Sequence, residues 1–164
     1  MTSLDGIDAR LLLLLAQEPH VGALQASRRL GVARGTVQAR IAKLQRSGVV
    51  TGYGPDVDPA ALGFPVSAFA TLEIAQGRGH EPVADHLRSI PEVLEAHTIT
   101  GAADMMLRLV ARSNADLQRV IDEVVAAPDV DRASTVIVLA TEIRPRVTPL
   151  VALAGGLRDA EPSG

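Results

Sequence analysis

The chain has 164 residues, of which 47% are apolar and 2% aromatic, carries a formal net charge of −3 and contains no cysteine. This excludes a disordered chain, a disulfide scaffold and thiolate chemistry, and it requires a core built from Val, Leu, Ile and Ala. The length suits one domain or two small ones. The first ten residues hold acids where a secretory leader needs a basic region. The longest aliphatic run, Leu11 to Ala16, is far short of the roughly 20 residues of a membrane span. The expectation is a soluble, cytoplasmic protein with no membrane partner.

Charge is unevenly spread. Residues 1–55 hold seven basic side chains (Arg10, Arg28, Arg29, Arg34, Arg40, Lys43, Arg46) against three acids (Asp5, Asp8, Glu18), a net +4, whereas the remainder holds nine basic and 16 acidic, a net −7. Within the first part, "ASRRLGVARGTVQARIAKLQRSG" (26–48) contains six arginines and lysines and no carboxylate. Such asymmetry implies two units with different partners, the first meeting a polyanion.

Residues 6–17 predict a helix, with Ile7, Leu11, Leu14 and Leu15 on one face, Asp5 as its cap and Pro19 after its end. A second helix spans about 23–30, with Leu24 and Leu30 inward and Gly31 supplying a left-handed turn. A third runs from about 34 to 47, with Val37, Ile41 and Leu44 in one stripe and Gly48 as its stop. Three short helices with a tight turn before the last form the helix-turn-helix pattern, whose final helix enters the major groove.

On a wheel of about 100° per residue, Thr36, Ala39 and Lys43 face away from that stripe, with Gly35, Gln38 and Arg46 nearby and Arg40 on the flank. Gln38 suits paired hydrogen bonds to adenine and arginine the same to guanine, while Thr36 or Ala39 can touch a thymine methyl. Arg28, Arg29 and Arg46 suit phosphates. The set expected to meet DNA is Arg28, Arg29, Arg34, Gly35, Thr36, Gln38, Ala39, Arg40, Lys43 and Arg46. Removing Arg40 or Lys43 is expected to weaken binding and flatten its salt dependence. A merely solvated basic helix face is the plain alternative.

Val49 to Tyr53 predicts a short strand, and the Gly- and Pro-rich residues 54–65 a linker. From residue 66 strands and helices alternate. "VSAFATLEIA" (66–75) places Val66, Ala68, Ala70, Leu72 and Ile74 on one face, ahead of a turn at "GRG" (77–79). "EPVADHLRSI" (81–90) is helical, with Val83, Leu87 and Ile90 in register; "VLEAHTIT" and "DMMLRLVAR" are strands joined by "GAA". A helix follows with Leu117, Val120, Ile121, Val124 and Val125 inward and Pro128 as its stop, then the strand "ASTVIVLATEI". The order βαββαβ is that of the ferredoxin-like sandwich, so the fold class is α+β: a winged or plain helix-turn-helix domain (1–53), a linker (54–65), a ferredoxin-like domain (66–150) and a C-terminal tail (151–164). In the tail, Leu150 to Leu153 can pack, and the polar end is expected to be disordered. With helices on one face only, the other sheet face needs a partner, so dimerisation is expected, and a two-fold dimer would read a pseudo-palindromic site.

The chain resembles the Lrp/AsnC family of transcription regulators. The resemblance rests on "LDGIDARLL" (4–12), on "LGVARGTVQARIAKLQRSGVVTGYGPDVDPAALG" (30–63) and on "TGAAD" (100–104), in that order and spacing. It implies the same two-domain fold, dimers assembling to tetramers or octamers, and a small effector, usually an amino acid, held by Thr100, Gly101 and Asp104 with Ser134 and Thr135. A carboxylate there can answer an ammonium, and backbone N–H groups beside a glycine can answer a carboxylate. A glycine and an aspartate also serve a hairpin turn as such, and that reading stands beside the first.

Four positions depart from the family pattern. Ala33 stands where a Ser or Thr usually caps the recognition helix, Gly35 weakens its first turn, and Ala103 and Ala133 replace larger or more polar residues, implying a roomier, less polar pocket. His20, His80, His86 and His97 lack the spacing of a metal site, and Met105 and Met106 are expected to fill core and interface, so neither metal nor cofactor is expected. Siroheme decarboxylases look like this family in both units and supply an enzyme alternative. An architectural DNA binder without effector is a third reading.

Overall fold

The computed structural model describes residues 4–75 and 80–157. The expected turn at 77–79 and the expected disordered end beyond residue 157 lie outside the described residues. The described residues divide into two compact units, one made from those up to Pro55 together with those from Ile143 onward, the other from those between Asp56 and Glu142.

The first unit holds α1 (Gly6–Gln17), α2 (Ala23–Leu30) and α3 (Arg34–Arg46). Asp5 caps α1: its carboxylate accepts the N–H groups of Ile7 and Asp8 at 2.9 and 2.8 Å, and the Asp8 carboxylate reaches back to the Asp5 N–H, a reciprocal capping box. Helix α2 ends at Gly31, whose φ of 67° is left-handed, so the chain turns sharply into α3. Leu11, Leu14, Ala26, Val37 and Leu44 form the core, with Leu12, Leu15, Leu30 and Ile41 packed against it. Each fully buried Val or Leu among them contributes about 1.5–3 kcal/mol by leaving water.

Two expectations fail here for identifiable reasons. Leu24 faces solvent, because α2 turns Ala23, Ala26, Ser27 and Leu30 inward, and the Ser27 hydroxyl is satisfied by donating to the Leu24 carbonyl at 2.8 Å. Val49 to Tyr53 forms no strand, because the N–H groups of Val49 and Val50 both donate to the Leu44 carbonyl (3.0 and 3.1 Å) and close the end of α3 through Gly48, at φ 72°.

Beyond the sheet unit, Thr148–Ala154 forms a further helix that packs against α1. The boundary read from the sequence at 150/151 cuts through this helix. The described residues 143–157 group with the first unit, through the packing of this helix on α1.

The second unit contains β1 (Val66–Ile74), α4 (Glu81–Arg88), β2 (Val93–Thr98), β3 (Met105–Ala111), α5 (Asn114–Val125) and β4 (Val130–Ile137), the helix at Thr148–Ala154 being α6. The strands form one antiparallel sheet in the order β2-β3-β1-β4. Ala68, Ala70 and Leu72 of β1 and Leu107 and Leu109 of β3 meet Val83, Leu87 and Ile90 from the α4 region and Leu117, Val120 and Val124 of α5 in one core. Period-two burial on the strands and period-3.6 burial on the helices are what the sequence pattern specified. Val125 departs from it, standing on the rim and partly exposed, because Leu117, Val120 and Val124 already fill the inward stripe of α5. Strand β4 begins at Val130, three residues before the expected Ala133, and ends at Ile137, where its pairing with β1 stops. On the other face of the sheet Phe69, Met106 and Val136 remain exposed. No helix among the described residues is long and apolar enough to cross a membrane.

Candidate nucleic-acid interface and effector loop

The outward side of α3 is laid out by its core stripe. With Val37 and Leu44 fully buried, Arg34, Gly35, Thr36, Gln38, Ala39, Lys43 and Arg46 are exposed, and Arg28 and Arg29 at the end of α2 are exposed too. Arg28, Arg34 and Arg46 make no ion pair among the described residues, so their charge is directed to solvent. Arg29 pairs with Glu18. Ala33 stands at the N-cap with no side-chain hydrogen bond, so the first turn of α3 presents unsatisfied N–H groups beside Arg34.

Arg40 departs from the expectation that it faces DNA. Its guanidinium turns toward α1, and Nη1 donates to Asp5 at 2.7 and 2.8 Å and to Asp8 at 2.6 Å. Lys43 Nζ donates to the other Asp8 oxygen at 3.2 Å while staying about half exposed. Asp8 is 0% exposed, so its charge is tenable only because cations and an N–H surround it. Burial pushes the Asp8 carboxyl up, but hydrogen bonds from Arg40, Lys43 and the Asp5 N–H outweigh it and hold the group below the usual aspartate value. The Asp5 carboxyl is held down first by the Asp8 N–H and then by Arg40, and the two carboxylates raise the Arg40 guanidinium in turn.

This clamp is the functional feature the sequence reading missed. Its signal was present as Asp5 and Asp8 three apart on one helix, facing Arg40 and Lys43 three apart on another. Only the packing of α1 on α3 reveals that the two pairs meet.

In the sheet unit, the loop from Thr100 to Asp104 joins β2 to β3. Gly101 has a φ of 120°, which favours glycine, and open space where a side chain would stand. Asp104 is tied into the sheet: its Oδ2 accepts the Ile74 N–H at 2.7 Å, its N–H donates to the Leu72 carbonyl at 2.9 Å and its carbonyl accepts the Ile99 N–H at 2.9 Å. The first of these bonds stands where β1 slips register against β4, between Glu73 and Ile74. Ser134 lies opposite Thr71, on the open face, and Thr135 opposite Ala70, on the helix face, so adjacent hydroxyls leave β4 in opposite directions. A groove of about 440 Å³ between α4 and β2, lined by His80, Arg88, Leu94 and Thr98 among others, includes none of the five residues expected to hold an effector.

Residues 4–51 match the family described as winged helix-turn-helix DNA-binding, and residues 67–148 the Lrp/AsnC ligand binding domain. The HTH-type transcriptional regulator FL11 of Pyrococcus horikoshii is 32% identical over 84% of this chain and 91% of its own length. Among solved structures, E. coli AsnC superposes with a TM-score of 0.83 at 26% identity, covering 89% of this chain and 99% of that one. A feast or famine regulatory protein from M. tuberculosis, solved in complex with L-methionine, has a TM-score of 0.78 at 26% identity, covering 87% and 96%. These relatives favour a regulator over the decarboxylase alternative. An α3 face bare of acids, set ahead of a βαββαβ sheet, together with both domain matches, makes the chain a non-enzymatic transcriptional regulator, a member of the Lrp/AsnC family.

Proposed function

We propose that this regulator works in the cytoplasm as a homodimer, assembling further to tetramers or octamers, that reads a pseudo-palindromic operator and answers to a small effector, an amino acid. The observation that carries the DNA reading is the acid-free, solvent-facing side of α3, where Arg34, Gly35, Thr36, Gln38, Ala39 and Arg46 are exposed together. Arg28, Arg34 and Arg46 are the phosphate contacts in this reading, and Thr36, Gln38 and Ala39 meet base edges. Lys43 is shared between Asp8 and DNA, whereas Arg29 and Arg40 serve mainly the protein.

The exposed Phe69, Met106 and Val136 support pairing of sheet faces between two copies, since a monomer seldom leaves such a patch uncovered. Of the two β4 hydroxyls only Ser134 stands on the open face where a second copy would seat, so in this reading Ser134 and the Thr100, Gly101 and Asp104 loop hold the effector and Thr135 contributes least. The methionine complex of the M. tuberculosis relative supports an amino acid as ligand. An effector shifts assembly only by its differential affinity for the alternatives, commonly about 1–3 kcal/mol.

Sequencing of genomic fragments retained by the purified protein, with and without each amino acid, tests this reading. A short shared motif with two-fold symmetry, changed in occupancy by one amino acid, is expected. Long sequence-tolerant protection would instead establish an architectural binder, and silence of all twenty amino acids in calorimetric titration would overturn the effector.

A further inference from the structure

The chain crosses between its two units twice, once near Pro55 and again near Ile143. The second crossing ends in α6, which packs on α1 and lies almost wholly beyond the 67–148 match to the ligand-binding domain. Residues 147–157 contain no charged side chain, so what holds them is packing. We propose that α6 is a clasp that fixes the first turn of α1 and through it the pose of α3.

The contact is specific. Gly155, just after α6, has φ −85° and ψ 2°, a backbone that any residue adopts, yet a Cβ there would lie 2.1 Å from the Ala9 Cβ. Glycine is required by the approach of α1, not by the turn. The Gly155 carbonyl and the Leu157 side chain also come within 3.8 and 4.0 Å of where a Cβ on Gly6 would stand. Gly6 and Ala9 flank Asp8, whose carboxylate, with that of Asp5, grips Arg40 and Lys43 of α3. Contacts therefore run without a break from Gly155 to Ala9, through the adjacent residue Asp8, and across to Arg40. The outer residues Leu150 and Leu153 are exposed and take no part.

The clasp rests on α3 being the recognition helix only for its effect on DNA; its docking on α1 stands alone. The test uses the full chain as Gly155→Ala, Ala9→Gly, the double variant Ala9→Gly/Gly155→Ala, and Leu150→Ser. Hydrogen exchange is followed over residues 6–13, and affinity is measured for a duplex retained in the fragment selection. Gly155→Ala is expected to speed exchange in that segment at least about tenfold, the effect of losing the packing of one aliphatic side chain. It is expected to weaken duplex binding about three- to tenfold. The double variant moves the methyl group from one side of the contact to the other and is expected to recover both readouts relative to the two single variants, while Leu150→Ser leaves both unchanged. Unchanged exchange in Gly155→Ala would overturn the docking, and faster exchange with unaltered duplex affinity would overturn its link to α3. If no variant, nor the wild-type chain, binds duplex, the exchange readout still decides the clasp, and the DNA reading is what fails.

Discussion

Asp8 is wholly buried and receives Arg40 Nη1 at 2.6 Å, so a carboxylate from the first helix and a guanidinium from the recognition helix hold each other in place. Removing one partner leaves the other charge without its counterpart. Asp8→Ala is expected to lower stability toward urea by about 3 kcal/mol. A loss below about 0.5 kcal/mol, the size typical of surface substitutions, would mean that the pair is ornamental.

Acid should act on the same clamp. The carboxyls of Asp5 and Asp8 are both held below their usual value in the folded chain, so they contribute stability above the unfolded aspartate pKa of about 4, and that contribution is lost as pH falls through the lower folded values. Melting temperature followed by circular dichroism is expected to fall steeply below about pH 4, and less steeply in Asp8→Asn, where one of the two carboxyls is gone. Equal slopes for the two proteins would remove the clamp as the cause.

The uncapped start of α3 offers a gain of stability. Ala33 has the extended backbone of an N-cap (φ −65°, ψ 147°), and its carbonyl accepts the N–H groups of Thr36 and Val37, but it has no side-chain oxygen to cap the first turn. Ala33→Ser is expected to stabilise the chain by about 1 kcal/mol. It is also expected to slow hydrogen exchange at residues 34–37 without DNA and so shrink the further protection that DNA gives. Protection of the wild-type first turn that is the same with and without duplex would contradict a loose start.

Asp104 serves the sheet and, in the proposed function, the effector. Asparagine can still accept the Ile74 N–H, so Asp104→Asn is expected to change stability by less than about 1 kcal/mol, whereas Asp104→Ala, which leaves that N–H unpaired, costs about 1–3 kcal/mol. If the charge answers an effector ammonium, calorimetry should find amino-acid binding weakened about tenfold or more in Asp104→Asn, a hydrogen bond to a charged group contributing about 1.5–3 kcal/mol. Full affinity in that variant would confine Asp104 to the hairpin.

The order of elements was legible because it is written in local periodicity. Val37 and Leu44 on α3, Ala68, Ala70 and Leu72 on β1, and Leu117, Val120 and Val124 on α5 each repeat with the period of the element they occupy. The glycine turn at Gly31 and the cap at Asp5 are likewise local. What escaped the sequence depends on residues far apart. Arg40 lies in a block without acids, which made DNA its natural partner, yet the carboxylates that claim it come from Asp5 and Asp8, more than thirty residues earlier. The opposite facing of Ser134 and Thr135 follows from strand pleat and could have been read. The seat of α6 beside Ala9 could not, because a glycine near the end of a chain does not announce which methyl group it must avoid.

The central claim, that Arg28, Arg34 and Arg46 meet phosphates while Arg40 holds the fold, is tested most directly by measuring duplex affinity against salt concentration for the wild-type chain and for Arg34→Ala, Arg46→Ala and Arg40→Ala. Each lost phosphate contact should reduce the slope of log K against log salt by about 1. Arg34→Ala and Arg46→Ala are expected to flatten the slope with no change in melting temperature, and Arg40→Ala to lower the melting temperature with the slope nearly intact. No duplex binding by the wild-type chain at low salt, or a flattened slope in Arg40→Ala alone, would contradict it.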